Sequence, residues 1–570
     1  MERSAKIIPY IILALIGLIL FVPFIGDFHL FDWDEINFAE SSREMLVSGD
    51  FFQVQINYEP FQEKPPLFFW LQALSMKIFG ISEFSARLPN AIFGVLSLLI
   101  LFRIGSKLKN SRFGWIWALI YLGSLLPHLY YKSGIIDPVF NLFIFLGVYF
   151  FIRWVSDQKI QQRNLCSMLS GLFIGFAIIT KGPVGFLLLF LTVIFYWLLK
   201  RQKRFFSIKE VMIFGVSVLF VSCFWFGHET IKNGPWFLIE FVKYQIELFS
   251  EPVAGHQQPF YYHFVVVLFG CMPMSFIALP RFFKQSETDV LSFERWMKVL
   301  FWVVLILFTI VSTKIVHYSS MTYLPLSYLA ALQLNNWNSS TSKWLNLLLI
   351  VVGSLISVVL FLIPFLAHFH LNYLQGLIAD KFFSAQLVLD VNWFGFEWMI
   401  SLVYGVSILF FVYLLNKRNI ILSLVVLVIG LGSTILLLGK YVLPKVEIYS
   451  QGPAIDFYES IQNENVYITT VGYKSYAQYY YTKINALEES DALYEQKIKA
   501  KEIVMHKHSA FNHLAVKQYN SILLDWLKNG AIDKPVYFVS RIDRNHLLDS
   551  NKNISFLYQK GGFVFYKRNP

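Results

Sequence analysis

Apolar residues run through most of this chain in blocks whose length, roughly 17–25 residues with their margins, suits a bilayer crossing. About thirteen such stretches stand out by hydropathy. They lie near Ile7–Gly26, Leu88–Gly105, Phe113–Tyr130, Ile135–Ile152, Cys166–Ile179, Pro183–Leu199 and Val211–Gly227. The rest lie near Phe260–Leu279, Trp296–Val311, Ser319–Leu334, Trp344–Leu366, Trp393–Leu415 and Asn419–Leu438. No small-residue cleavage site follows the first, so it is expected to remain as a transmembrane helix. Three intervening segments are long: residues 27–86, 228–259 and 367–392. Past Leu438 the pattern changes to short strand-like runs (Val466–Gly472, Pro535–Arg541), a helical run (Tyr519–Lys528) and a terminal hairpin turning at Gly561-Gly562. The expected fold class is an α-helical polytopic membrane protein over residues 1–438, followed by a small α/β domain over residues 439–570.

The first long loop has its own pattern. Asp34 is placed to cap a helix running to about Val47, with Glu35 in the first turn and Gly49 beyond its end. Pro65 and Pro66 suit the opening of a second helix. Leu67, Phe68, Trp70, Leu71, Leu74, Ile78 and Phe79 form its apolar side, with Gln72 and Lys77 on a thinner polar side. Such an aromatic-rich helix is expected to lie along the membrane interface.

Composition agrees with the blocks. Of 570 residues 56% are hydrophobic and only 15% charged, against about 25% charged in soluble domains. The net charge of +11 could suggest a nucleic-acid partner, but the positions of the basic residues explain it without one. With the N-terminus cytoplasmic, the inner loops collect Arg103, Lys107, Lys109, Arg112, Arg153, Arg163, the Lys200–Arg204 run, Arg281, Arg295, Lys417 and Arg418. The short outer loops carry single lysines such as Lys132, Lys181 and Lys314. This asymmetry is the positive-inside pattern and predicts a multi-pass membrane protein with its N-terminus inside and its C-terminal domain on the outer face. Cys166, Cys223 and Cys271 all lie in or beside apolar stretches, so no disulfide framework is expected.

On this topology the unusual polar residues gather on the outer side: Asp34, Glu35, Glu63, Lys64, Asp137, Lys181, His256, Lys314, His317 and Tyr318. Intramembrane and membrane-edge ionisable groups are functional candidates. An outward-facing enzyme has no nucleotide-sugar pool and needs an activated substrate carried in the membrane, such as a polyprenyl-phosphate-linked sugar. Lys64, Lys314 and the Tyr318 hydroxyl can stabilise a departing phosphate. Asp34, or second Asp137, can act as the base for an acceptor hydroxyl. A base opposite the leaving phosphate inverts the anomeric carbon, by the logic of inverting glycosidases. Taken singly, each has a plainer reading: Asp34 as a cap, Asp137-Pro138 as a turn, His256 as a loop residue, and Lys64 and Lys314 as snorkelling lysines. Their joint placement on one face favours chemistry. A transporter or flippase of lipid-linked sugars is the alternative, but it calls for mid-membrane charges and repeated halves, neither of which is visible.

The run DEINFAESSREML…GDFF…EKPPLFFWLQALSMKIFG…EFSARLP, with GIIDP, KGP, HQQPFYYH, STK…HY…YLP and VGYKSYAQYYY, resembles the bacterial aminoarabinose lipid A transferases. It is also similar to the wider set of membrane glycosyltransferases related to protein O-mannosyltransferases. The resemblance implies a GT-C-type fold with about thirteen membrane helices, a periplasmic C-terminal domain and a polyprenyl-phosphate sugar donor. It implies Asp34 and Asp137 as the acidic positions and Lys64 and Tyr318 as phosphate ligands; Glu35 and His317, on the same outer face, are read as supporting residues. It also implies a metal, zinc, held by Glu63 and His256. The acceptor would be lipid A, another envelope glycolipid or glycan, or a protein. Two departures stand out: Asn37 where the family often has Arg, and Glu247-Leu248 where an Arg-Phe pair is common, with Lys243 nearby.

Overall fold

The structure is a computed structural model and describes residues 2–61, 63–200, 207–250, 258–284, 292–337, 343–462, 464–484, 490–507 and 513–570. Each apolar stretch becomes a helix or a broken pair. The N-terminal helix α1 (Glu2–Phe21) leads to the loop helices α2 (Asp34–Ser48) and α3 (Leu67–Phe79). Between these two lies a small antiparallel ribbon of β1 (Gln55–Ile56) and β2 (Glu59–Pro60). Then come α4 (Glu83–Leu108), α5 (Ser111–Leu122), α6 (Leu125–Tyr130), α7 (Asp137–Ser156), α8 (Ile160–Lys181), α9 (Val184–Lys200) and α10 (Ile208–Asn233). The helix α11 (Trp236–Ser250) occupies the second long loop, where the hydropathy pattern had suggested only a connection. The bundle continues through α12 (Tyr262–Gly270), α13 (Met274–Phe283), α14 (Phe293–Ile310), α15 (Tyr323–Asn335) and α16 (Lys343–Phe369). The third loop holds α17 (Leu371–Leu377) and α18 (Lys381–Gln386), before α19 (Ile400–Asn416) and α20 (Ile420–Tyr441).

Among the described residues seven helices are long and apolar enough to cross a membrane, and one bent pair adds an eighth candidate. The shortfall from about thirteen has two sources: Ile7–Phe21 and Val184–Leu199 are apolar helices too short to be counted, and other stretches break. Phe113–Tyr130 is interrupted at Gly123 and Ser124, Phe260–Leu279 bends by 115° between α12 and α13, and Ser319–Leu334 starts as a 3-10 helix over Val316–Thr322. On α16, Leu347, Val351, Leu355, Val358 and Leu362 form an exposed stripe at helical spacing. A continuous apolar surface of this kind requires lipid rather than water.

Beyond α20 the chain forms α21 (Leu443–Ser450) and α22 (Gly452–Ser460), then β3 (Tyr467–Val471), α23 (Ala477–Thr482), α24 (Asp491–Lys507) and α25 (His513–Asn529). It closes with β4 (Val536–Arg541), α26 (His546–Asp549), β5 (Ser555–Lys560) and β6 (Phe563–Arg568). The sheet order is β3-β4-β6-β5, with β3 and β4 parallel and the other pairs antiparallel. The β5–β6 turn is Gly561-Gly562, with Gly561 at φ 56, as its sequence predicted. One apolar core joins this sheet to the first loop: Leu30, Ile36 and Ala39 pack with Tyr458, Tyr476, Tyr481 and Phe565.

In the loop itself, Gly49 ends α2 in the left-handed conformation at φ 73. Asp34 does not cap the helix: the cap position is Trp33, without a side-chain hydrogen bond, so the carboxylate is left for other contacts. Gln72 is not on a polar surface either. It is fully buried, donating from Nε2 to the Ala86 carbonyl at 2.8 Å and accepting from Ser42 Oγ at 3.0 Å, which ties α3 to α2 and α4. Leu74, Ile78 and Phe79 stay exposed on the opposite side.

Candidate active site

Both acidic candidates start helices. Asp34 is the first residue of α2 and Asp137 the first of α7, with Pro138 behind it, so each carboxylate sits in the positive end of a helix dipole. Lys181 is the last residue of α8, where the dipole favours a cation. These ends converge on a cavity of about 1200 Å³ whose wall includes Asp34, Glu63, Lys64, Asp137, Lys181, Lys243, Tyr244, His317, Tyr318 and Lys474.

The groups form a chain of contacts. Lys181 Nζ lies 2.6 Å from Asp137 Oδ1 and 5.1 Å from the centre of the Tyr318 ring. His317 Nε2 lies 3.2 Å from Asp34 Oδ2 and 3.9 Å from Asp137 Oδ2. Burial would raise the Asp34 carboxyl, but the His317 hydrogen bond and the charges of His317, Lys64 and Lys181 outweigh it and hold it below the usual carboxylate range. Burial pulls the Lys64 ammonium down, against the opposing charges of Glu63, Asp34 and Asp137. The Tyr318 phenol is pushed up by burial and by the nearby Asp34 and Asp137, so it stays protonated and able to donate.

Glu35 is not on the wall. It is buried behind it, accepting from Arg87 Nε at 3.0 Å and Arg87 Nη2 at 2.8 Å, and from the Phe31 and Gly134 amides at 2.9 and 2.5 Å. Its support is mechanical: it fixes the turn before Asp34 to α4 and to the entry of α7. Lys314 is also off the wall; its buried ammonium donates to the Val311 carbonyl at 2.8 Å, so the expectation that it faces a phosphate is not met. Lys181 lies on the wall instead. The KGP motif had shown it as an outer-turn residue, but sequence gave no way to pair it with Asp137 across 44 positions.

The Tyr244 phenol is pushed up by burial and by the neighbouring Glu63 carboxylate. His256 lies outside the described residues. Among the described residues no group of three or more His, Cys, Asp or Glu side chains is arranged to hold a metal, and zinc usually takes four ligands. The described residues therefore do not fit a zinc site at Glu63. Two wall residues escaped the sequence reading, Tyr244 on α11 and Lys474 from the turn after β3. Lys474 Nζ stands 4.3 Å from the centre of the Trp33 ring, and Tyr476 packs edge-on against the same ring at 5.3 Å. Hydropathy does not report such contacts, although the VGYKSYAQYYY run that holds Lys474 was visible.

The chain is similar to known proteins in sequence and in fold. The family described as dolichyl-phosphate-mannose-protein mannosyltransferase matches residues 63–226. A protein of Aquifex aeolicus is 30% identical over 360 residues, 61% of this chain and 78% of that protein. The undecaprenyl phosphate-alpha-4-amino-4-deoxy-L-arabinose arabinosyl transferase of Pectobacterium carotovorum is 28% identical over 362 residues, 61% of this chain and 64% of its own length. The chain belongs to the aminoarabinose-transferase and protein-O-mannosyltransferase family of membrane glycosyltransferases. The match spans just under two thirds of several of these relatives, 60% of the length of the one from Pectobacterium atrosepticum. The crystal structure of ArnT from Cupriavidus metallidurans bound to undecaprenyl phosphate superposes with a TM-score of 0.76 at 18% identity, covering 99% of this chain and 98% of that one. The fold is therefore a polytopic membrane GT-C fold carrying a small C-terminal sheet.

Proposed function

We propose that this family member transfers a sugar from a polyprenyl-phosphate donor to a hydroxyl or phosphate of a cell-envelope acceptor, at the periplasmic face and with inversion. The observation that carries this reading is the convergence of Asp34, Lys64, Asp137 and Lys181 on one cavity. An acceptor oxygen attacks the anomeric carbon, the bond from that carbon to the phosphate oxygen breaks, and polyprenyl phosphate leaves with the bonding pair. Asp34 takes the acceptor proton. Lys64 and the Tyr318 hydroxyl receive the phosphate charge, and Lys181 shares its charge between the phosphate and Asp137. The clustering of charge at one end of the bundle favours transfer over transport of the lipid.

The arabinosyl names of the relatives and the undecaprenyl phosphate bound to ArnT support an undecaprenyl-linked amino-pentose as donor, with lipid A as the first acceptor to try. In the same reading the N-terminus is cytoplasmic and residues 439–570 form the periplasmic domain.

The test is transfer of radiolabelled sugar from undecaprenyl-phosphate aminoarabinose, or an undecaprenyl-phosphate hexose, to lipid A or envelope protein in proteoliposomes. Asp34→Asn is expected to lower the rate by about 10²–10⁴-fold, the usual worth of a general base, while undecaprenyl phosphate still binds. Wild-type transfer by this variant would overturn the assignment.

A further inference from the structure

The 3-10 turn that carries His317 is fastened to the helix that begins with Asp137. One turn along α7, Asn141 Nδ2 donates to Ser320 Oγ at 2.8 Å, and Ser320 Oγ donates to the His317 carbonyl at 2.6 Å. From this anchored backbone the imidazole reaches across to a different element, meeting Asp34 Oδ2 at 3.2 Å with Asp137 Oδ2 at 3.9 Å. The side chain is 15% exposed and lines the cavity. Asp34 itself hangs from a loop helix and makes no capping contact of its own.

We infer that His317 is a positioning residue for the base: its Nε2–H fixes the Asp34 carboxylate and links it to the Asp137–Lys181 pair. This rests on the reading of Asp34 as the base. The second Asp34 oxygen is left to face the acceptor, and the orientation of the base is coupled through Asp137 to Lys181. The charged and titratable groups around the imidazole are Asp34 of α2, Lys64 before α3, Asp137 of α7, Lys181 of α8, His263 of α12, and Lys314 and Tyr318 of its own segment. Of these, Asp34 makes the closest contact that the structure gives the ring.

The experiment compares wild type, His317→Ala, His317→Gln and Asp34→Asn in the proteoliposome assay, following kcat, donor KM and the acid limb of the rate. Without the imidazole the Asp34 carboxyl loses a hydrogen-bond donor and protonates at higher pH. H317A is expected to lose roughly tenfold or more in kcat, within the range a misaligned base costs, with donor KM unchanged within about twofold. Its acid limb should move up by about one pH unit. In H317Q the amide donates in place of Nε2–H, and most of the rate and the original limb should return. Should H317A melt early, His317→Asn, whose amide stops short of Asp34, carries the same expectation. If D34N is inactive yet the acid limb of the histidine variants stays put, or donor KM rises in step with the loss of kcat, the inference falls alone. If D34N transfers at the wild-type rate, the reading of the base falls with it.

Discussion

Lys64 and Lys314 began as equals, two lysines at outer turns that could either meet a phosphate or reach for the interface. Their surroundings separate them. Lys64 lines the cavity among Glu63, Asp34 and Asp137, whereas Lys314 spends its ammonium on a carbonyl three residues back. Lys64→Ala should weaken undecaprenyl phosphate binding by about tenfold, the worth of one charge-assisted contact, as measured by titration in detergent. Lys314→Ala should leave that affinity unchanged. The pH dependence follows from the lowered Asp34 carboxyl. A depressed carboxyl contributes stability above its unfolded value, near 3.9, and loses it as pH falls through the lower folded value. The Asp34–His317 contact should therefore persist down to about pH 4, and the base stays ionised across the working range. At this scale the sequence was legible where residue type and position sufficed, as for Asp34, Lys64 and Asp137. It was silent where a partner comes from far along the chain, as Lys181 does for Asp137.

Helices and turns transmit these placements. Glu35 bonds to Arg87 of α4, to the Phe31 amide ahead of α2, and to Gly134 at the entry of α7, so one buried carboxylate aligns the helices that present Asp34 and Asp137. Arg87 is fully buried and its side chain pairs with a carboxylate that is only 7% exposed. Arg87→Met strands that charge and should cost about 3–5 kcal/mol, read as a fall in melting temperature together with a loss of transfer. The helical stretches were readable because apolar length is written directly into sequence, and Gly49 marked the end of α2. Breaks within spans were harder: the 115° bend between α12 and α13 interrupts a run that stays apolar throughout. The helix α11 was missed although Glu240, Lys243 and Glu247 recur along it at helical spacing, and it supplies Tyr244 to the cavity wall.

Across the whole molecule, the C-terminal unit and the first loop are held together by more than their shared apolar core. Tyr481 Oη accepts from the Leu30 amide at 2.8 Å, Lys501 Nζ lies 2.7 Å from Glu59, and Arg43 Nη2 donates to the Ile484 carbonyl at 2.9 Å. A chain ending at residue 450 should keep its membrane helices but expose residues 31–61 to protease, as limited proteolysis followed by mass spectrometry would show; equal protection in both chains would mean the loop is stable alone. The α/β character of the C-terminal region was legible from its strand-like runs and its Gly-Gly turn. Its docking on the loop was not, because tyrosines that pack between units look the same in sequence as tyrosines in any core. The reach of these contacts also bears on how the protein is made. Glu35 waits for residues 87 and 134 to emerge before its bonds can close, and Leu30 waits for residue 481. A nascent chain halfway through synthesis can therefore already close the Glu35 contacts, while the Tyr481 tether on Leu30 forms only when translation is nearly finished.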